Sequence, residues 1–129
     1  MLLQDLDPAT LQASPEVNAL ICESMGGQYR PASIPALDGE ANFGSGFRPW
    51  SPSTNPAHAL EVMLEADWWE LQFDGQVIVC KLRLYSINPM TYRGDVSLIS
   101  TDNNKGRAVA LAIMRAIVAA MQAKAAGGE

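Results

Sequence analysis

The sequence predicts an α+β domain in which a small antiparallel sheet is sandwiched between helices. Two β-rich runs flank Asp74-Gly75, a dipeptide that strongly signals a hairpin. The stretch 105–126 is apolar over a wide arc, which is typical of a largely buried helix. The 129 residues match the usual size of one domain, so residues 1–129 are expected to form a single unit.

A first helix is predicted over residues 15–25. Ser14 is an N-cap residue, Pro15 loses no hydrogen bond in the first turn, and Glu16 suits the positive helix end. Gly26-Gly27 ends the helix. The apolar residues at helical spacing are Val17, Leu20, Ile21 and Met25.

The stretch 27–54 is rich in Gly, Pro and Ser, yet it carries anchors that a solvated linker would lack. It is either a long packed loop with at most one short strand, or a binding loop, since long ordered loops are often functional. These anchors are Tyr29, Ile34, Leu37, Phe43, Phe47 and Trp50.

A second helix is predicted to begin at Thr54 or Asn55, with Pro56 at its first position, and to end near Ala66. Proline in the first helical turn is favourable because its missing N–H would have no partner there. The expected apolar side consists of Leu60, Met63 and Leu64, and the opposite side carries Glu61 and Glu65.

The hairpin is predicted to place Phe73 opposite Gln76 and Leu71 opposite Ile78 across an Asp74-Gly75 turn. A third strand is predicted over 95–100, reached through the loop INPMTYRG. The apolar face is expected to hold Trp69, Leu71, Phe73, Ile78, Cys80, Leu82 and Leu84 and to pack against the last helix. The other face mixes apolar and charged groups, namely Trp68, Glu70, Gln72, Val77, Val79, Lys81, Arg83 and Tyr85.

The last helix is predicted from Lys105 to Ala126, with Asp102, Asn103 or Asn104 as its cap and Gly127-Gly128 at its end. A helix so apolar must be covered by a sheet or by another subunit. One small sheet leaves part of it open, so we expect a homodimer or larger assembly, with this helix or an edge strand at the interface.

Composition excludes several classes of function. The net charge of -5 argues against binding to long nucleic acids, which relies on many basic contacts to phosphates. The N-terminus lacks the pattern of a signal peptide, and Arg115, Gln122 and Lys124 interrupt the most apolar stretch, so a cytoplasmic protein without a membrane span is expected. Cys22 and Cys80 are expected to be buried free thiols, and neither a metal site nor a cofactor is expected.

Three stretches together resemble the phage ABA-sandwich domain family of small bacteriophage and prophage proteins. They are EVNALICESMGGQY, RPWSPSTNPAHALEVM and NNKGRAVALAIMRAIVAAM. The chain departs from the family where Gly27-Gln28-Tyr29 replaces the usual tryptophan and where the 28–47 loop has no counterpart. The resemblance implies helices on both sides of an antiparallel sheet, a place in the host cytoplasm and no known reaction.

No catalytic constellation is visible: the lone histidine, His58, has no nucleophile motif beside it, so an enzyme is not expected. Two hypotheses remain for the function of the phage or prophage accessory protein that the resemblance implies. In one, a small anionic or nucleotide ligand is bound or sequestered, as in counter-defence proteins, at a helix start with hydroxyl, arginine and aromatic groups. The site residues would be Arg48, Trp50, Ser51, Ser53, Thr54, Asn55 and His58.

In the other hypothesis the chain is an oligomeric interaction or adaptor protein that binds a host or phage protein, and residues 51–56 merely cap a helix. The two hypotheses differ in what they require of the loop. A ligand site requires Arg48 and Trp50 to be partly exposed and to face the same cleft as Ser51. A wholly buried Trp50 without a cavity near Ser51 indicates a structural loop.

Overall fold

The computed structural model describes residues 3–31, 39–83 and 91–126 and confirms the α+β class. It contains two three-stranded antiparallel sheets, with strand orders β1-β2-β3 and β4-β5-β6. Two short 3-10 turns, Leu3–Asp5 and Leu98–Thr101, accompany them. The elements are α1 (Pro15–Ser24), β1 (Gln28–Arg30), β2 (Glu40–Asn42), β3 (Phe47–Pro49), α2 (Pro56–Met63), β4 (Trp68–Asp74), β5 (Val77–Arg83), β6 (Thr91–Ser97) and α3 (Lys105–Ala126).

The helix starts follow the capping residues of the sequence. The Ser14 side chain accepts from the N–H of Val17 at the start of α1, and Asn55 accepts from the N–H of Ala57 at the start of α2. Asn104 Oδ1 accepts from the N–H of Arg107, so Asn104 is the cap of α3. The bounds of α3 agree with the prediction, whereas α2 ends three residues before Ala66. The predicted stop at 127–128 lies outside the described residues.

The hairpin turn lies one residue later than predicted. Asp74 pairs with Val77 and Phe73 with Ile78, so the turn consists of Gly75-Gln76 and the predicted partners are wrong by two residues. Gly75 has a φ of 60°, whereas Gln76 has no positive φ, which is the pattern of a type II′ turn with glycine first. A shift by two residues leaves every side chain on its predicted face.

The third strand, β6, begins and ends earlier than predicted. It spans Thr91–Ser97, and residues 98–100 of the predicted 95–100 strand belong to the 3-10 turn Leu98–Thr101 instead. Burial alternates strictly along β6, with Tyr92, Gly94 and Val96 inside. Glycine and charged residues within this strand concealed the alternation in the sequence. Leu84 and Tyr85, which were assigned to the two faces of the hairpin, lie outside the described residues.

The smaller sheet was not predicted, since the sequence allowed at most one short strand there. Tyr29 of β1 pairs with Ala41 of β2, and Ala41 pairs with Arg48 of β3. Each strand has only three residues, which is too short for an alternating pattern to be visible in sequence. Ile34 and Leu37, two of the predicted anchors, lie outside the described residues.

Helix α3 forms the centre of the fold. One of its sides packs against β5 and β6, and α2 packs beside it. Its length and composition would also suit a membrane span, but 61% of that stretch is buried within the fold, as in a core helix. Its buried residues are Ala108, Ala110, Leu111, Ala112, Ile113, Met114, Ala116, Ile117, Val118 and Ala120.

Two of the helices, α2 and α3, pack against the same face of the larger sheet. The Cys80 thiol lies 3.8 Å from Met63 Sδ, so α2 contacts the face of β5 that also receives α3. On the other face of β6, the side chains of Thr91, Arg93 and Asp95 are exposed. An oligomer was predicted because part of α3 was expected to be left uncovered, but most of α3 is buried within its own chain. The oligomeric state itself stays a prediction.

The predicted core is right for β5 and wrong for two aromatic residues of β4. Ile78, Cys80 and Leu82 are at most 1% exposed, whereas Trp69 is 41% and Phe73 64% exposed. Helix α3 covers β5 and β6, so the outer strand extends beyond it. The apolar side of α2 also differs from the prediction, because Leu60 and Leu64 are exposed and Ala59, Val62 and Met63 are buried.

Two polar residues of α3 bind the N-terminal segment. Arg115 donates to the carbonyl oxygen of Leu11 at 2.9 and 3.0 Å and to that of Asp95 at 2.8 Å. Its burial lowers its pKa, against the opposing effect of nearby carboxylates. Gln122 donates to the carbonyl oxygens of Leu3 and Leu6. These side chains therefore satisfy backbone groups that the irregular N-terminal segment leaves without partners.

The backbones of β6 and α3 come into close contact at Gly94. A Cβ atom at this position would lie 2.2 Å from the carbonyl oxygen of Ala112 and 2.6 Å from the nitrogen of Ala116. Both neighbours are backbone atoms, so no side-chain movement could relieve the overlap. Only glycine on the strand and small residues on the helix allow this approach.

We expect the Leu82→Ala variant to lose about 2–5 kcal/mol of unfolding free energy, because Leu82 is fully buried on the helix-covered face. The matched Leu64→Ala variant removes a side chain that is 62% exposed and should change stability by less than about 1 kcal/mol. Urea unfolding of both variants measures the difference, and equal losses would contradict the described core.

Gly94→Ala should destabilise the fold by about 1–3 kcal/mol or more, because the added methyl group overlaps the α3 backbone. Gly106→Ala is the matched control. A Cβ there has its nearest neighbours at 3.5 Å, and alanine favours the helix, so stability should rise by up to about 1 kcal/mol. Thermal unfolding would refute the close approach if Gly94→Ala were as stable as the parent.

Candidate functional site

The segment 50–58, which was the predicted ligand loop, is organised around Asn18 of α1. Asn18 Nδ2 donates to Ser51 Oγ at 3.1 Å, and Asn18 Oδ1 accepts from the N–H of Ser53 at 3.1 Å. Ser51 Oγ also lies 2.6 Å from Thr54 Oγ1. Asn18, Ser51 and Ser53 are at most 3% exposed, so these bonds are shielded from water.

The backbone N–H of Ser51 and the side chains of His58, Ser53 and Asn55 also have internal partners. The N–H of Ser51 donates to His58 Nδ1 at 2.9 Å, so this nitrogen is an acceptor and is not free to act as a base. Ser53 Oγ donates to the carbonyl oxygen of Ser14, the cap residue of α1, at 3.4 Å. Asn55 is occupied as the cap of α2. The segment therefore ties together the N-termini of two helices.

Trp50 and Arg48 differ in exposure, although both contact the ring of Phe43. Trp50 is fully buried and meets Phe43 edge to face at 5.2 Å, whereas Arg48 is exposed and pairs with Glu61 at 2.8 Å. The hydrogen bond from Arg48 is the main cause of the lowered pKa of Glu61. The nearby indole N–H of Trp50 also lowers the pKa of Glu61. Among the described residues, however, this N–H has no acceptor in hydrogen-bond geometry.

Trp50 is wholly buried, so the condition that Arg48 and Trp50 are both partly exposed is not met for a ligand site at this loop. The structure brings Ser51, Ser53, Thr54, Asn55 and His58 together, but it uses their polar groups for capping and loop packing. Asn18, the residue that organises them, was missed. A polar asparagine within an apolar helical pattern was the available signal, since a buried amide needs partners.

A polar cavity of about 170 Å³ lies beside two of the predicted residues, Ser53 and Thr54. Arg107 of the first turn of α3 lines it as well, together with the carboxylate of Asp102. Helix N-termini favour anions, although Asp102 opposes them here. The other lining residues are Gln12, Ala13, Ser100, Thr101 and Leu111.

A larger cavity of about 580 Å³ lies where the C-terminal ends of the three helices meet. Its volume is within the range of small-molecule sites, and its lining is mostly apolar. Glu65 and Lys124 supply its charged groups, and both are exposed. The full lining is Leu3, Ser24, Met25, Val62, Glu65, Ala66, Ile117, Ala120, Met121, Lys124 and Ala125. No pattern in the sequence indicates this cavity, because its residues come from four separate stretches of the chain.

The thiols contribute packing to the fold. Cys22 and Cys80 are free and buried, as predicted. Burial raises the pKa of the Cys80 thiol to about 12, and burial followed by the charge of Glu23 raises that of Cys22. Both therefore stay protonated at neutral pH and are poor nucleophiles. Among the described residues, no group of three or more His, Cys, Asp or Glu side chains is placed to hold a metal ion.

Comparison of the chain with family models, curated proteins and solved structures gave no match. The likeness to phage ABA-sandwich proteins thus stays a prediction, and the cavities are interpreted from their own geometry.

Asn18→Ala should cost about 1–3 kcal/mol, because it leaves the buried N–H of Ser53 without its acceptor and removes the amide donor to Ser51 Oγ, which keeps only Thr54 Oγ1 as a partner. Arg48→Ala removes only an ion pair between exposed side chains and should cost less than about 1 kcal/mol. Urea unfolding distinguishes the two. The structural role of the loop would be contradicted if Asn18→Ala were tolerated and Arg48→Ala were the damaging change.

Proposed function

We propose that this protein is a small, non-catalytic binding protein whose ligand occupies the apolar cavity at the C-terminal ends of α1, α2 and α3. The observation that supports the proposal is the cavity of about 580 Å³, a volume typical of sites that enclose a small molecule. The proposal keeps the predicted class of accessory binding protein in the cytoplasm of a phage host. It moves the ligand away from the 48–58 loop.

The lining defines the chemistry of the ligand. Val62, Ile117 and Met121 present aliphatic and thioether groups, which favour a hydrocarbon or aromatic body. Glu65 and Lys124 are the exposed charged members of the lining and can contact polar substituents near solvent. We therefore propose an amphipathic small molecule with an apolar body and a polar end. Methionine at two lining positions adapts to more than one ligand shape.

A binding role suits this cavity better than catalysis. Ser24 carries the only hydroxyl among the described lining residues, and it donates to the carbonyl oxygen of Ile21 at 2.8 Å. This hydroxyl also lies 3.7 Å from Met121 Sδ. Its hydrogen is therefore held by its own helix, and neither histidine nor cysteine lines the cavity beside it. Such a lining supplies shape and hydrophobicity without an activated nucleophile.

The polar cavity supports a second candidate, which is the anionic or nucleotide ligand predicted from the sequence. Arg107 lines it near the N-terminus of α3 together with Ser53, Thr54 and Ser100, whose hydroxyls already have internal partners, so Arg107 is the group that supports an anion there. At about 170 Å³ it suits a phosphate group but not a whole nucleotide. The adaptor hypothesis, with a host or phage protein as partner, stays open beside both ligand hypotheses.

The fluorescent apolar probe 1-anilinonaphthalene-8-sulfonate tests the first candidate. We expect saturable binding to the native protein and a loss of about tenfold or more in affinity for Ala66→Leu, whose larger side chain enters the cavity. Ala57→Leu makes the same change at an exposed position of α2 outside the lining and should bind as the parent does. Fluorescence titration of the three proteins measures these affinities.

The proposal fails if the native protein does not bind the probe saturably, or if Ala66→Leu binds as tightly as the parent. Thermal unfolding in the presence of inorganic phosphate or nucleotides provides the complementary test. A stabilisation that Arg107→Gln abolishes and Ala66→Leu preserves would assign binding to the polar cavity instead.

A further inference from the structure

Strand β4 lies at an edge of the larger sheet and leaves apolar side chains in solvent. The strand order is β4-β5-β6, and within the described part of the chain β4 pairs with β5 alone. Trp69 is 41% and Phe73 64% exposed, with the partly buried Leu71 between them on the same face. Long edge strands are usually blunted by lysine, proline or a bulge within the strand, yet β4 carries neither lysine nor proline.

The free backbone groups of β4 belong to the same residues. Asp74 and Val77 close a two-residue turn, and such a closing pair exchanges hydrogen bonds. Pairs along an antiparallel ladder alternate, so Gln72 and Glu70 also direct their backbone groups toward β5. The N–H and C=O groups of Trp69, Leu71 and Phe73 therefore point away from the sheet.

We propose that β4 pairs antiparallel with β4 of a second copy of this chain, about a two-fold axis at Leu71. The two larger sheets then form one continuous six-stranded sheet. In this register Trp69 lies opposite Phe73 of the second copy, and Leu71 lies opposite Leu71 of the second copy. Every outward backbone group of these three residues gains a partner. The inference is independent of the proposed ligand cavity, whose lining contains no residue of β4.

The side chains select this register over its neighbours. With the axis at Leu71, Glu70 faces Gln72 of the second copy, and an amide can donate to a carboxylate. Gln72 already donates to Glu70 within one strand, so the two groups are within reach of each other. An axis at Glu70 would place two glutamates opposite each other, and an axis at Gln72 would place Glu70 opposite Asp74. Both alternatives pair like charges directly.

The apolar face of β4 is consistent with the same arrangement. A two-fold axis perpendicular to the sheet keeps the apolar faces of both β4 strands on one side, so the aromatic side chains of the copies meet. The interface would consist of one strand from each copy, which places it at the small end of specific interfaces. We therefore expect association in the micromolar range.

The association should also depend on salt. Glu70 of one copy lies diagonally opposite Asp74 of the second copy, and these carboxylates repel, so association should strengthen as salt is added.

Sedimentation equilibrium up to about 100 µM tests the association. The native protein should reach twice its monomer mass of 13.9 kDa. Phe73→Lys should remain monomeric over this range, because it places charge at the centre of the aromatic contact. Ile99→Lys makes the same kind of change at a side chain that is 72% exposed outside the sheet, and it should dimerise like the parent. A monomeric native protein, or a Phe73→Lys dimer of unchanged affinity, would refute the proposal.

Disulfide trapping tests the position of the axis. Leu71→Cys should form a covalent dimer under mild oxidation, because the two thiols face each other across the axis. Gln72→Cys is the matched control, since it faces Glu70 of the second copy and should cross-link far more slowly. The native Cys22 and Cys80 are fully buried and do not compete in the folded protein. Equal cross-linking of the two variants, or none in Leu71→Cys, would overturn the register.

Discussion

The close contact between the β6 backbone at Gly94 and the α3 backbone between Ala112 and Ala116 is the constraint on which the fold depends. A strand and a helix usually meet through interlocking side chains, but here the strand has no side chain at the contact, and the α3 backbone and Arg115 Cβ lie directly against it. The central helix is therefore close to the sheet at this point. Ile78 and Leu82 of the neighbouring strand then close over it, and both are at most 1% exposed.

The position of α3 determines which parts of the larger sheet are covered. Helix α3 packs against β5 and β6, and α2 packs beside it with Met63 in contact with Cys80. Strand β4 lies beyond this cover, and its side chains Trp69 and Phe73 stay exposed although they belong to the apolar face. The same geometry thus explains both the dense core and the exposed edge strand.

Polar residues inside the fold hydrogen-bond distant segments of the chain to one another. This changes the interpretation of the predicted site. Arg115 fixes the N-terminal segment to α3 and β6, and Asn18 fixes the 50–58 loop to α1. Because the serine, threonine and histidine groups of that loop are bonded to one another or to backbone, they offer little to a ligand. The large cavity lies at the other end of α1 and α2, between the C-terminal ends of the three helices.

The sequence by itself determined the local features of this protein. Ser14, Asn55 and Asn104 specify the helix starts because a cap acts within three residues of itself. The strand period of two specified the faces of β4 and β5, even though the turn lay one residue later than predicted. Only the tertiary structure decided which apolar residues are covered, so the exposure of Trp69 and the burial of Trp50 were not predictable from their equal hydrophobicity. The smaller sheet and both cavities arise from contacts between distant segments, and no local pattern in the chain encodes them.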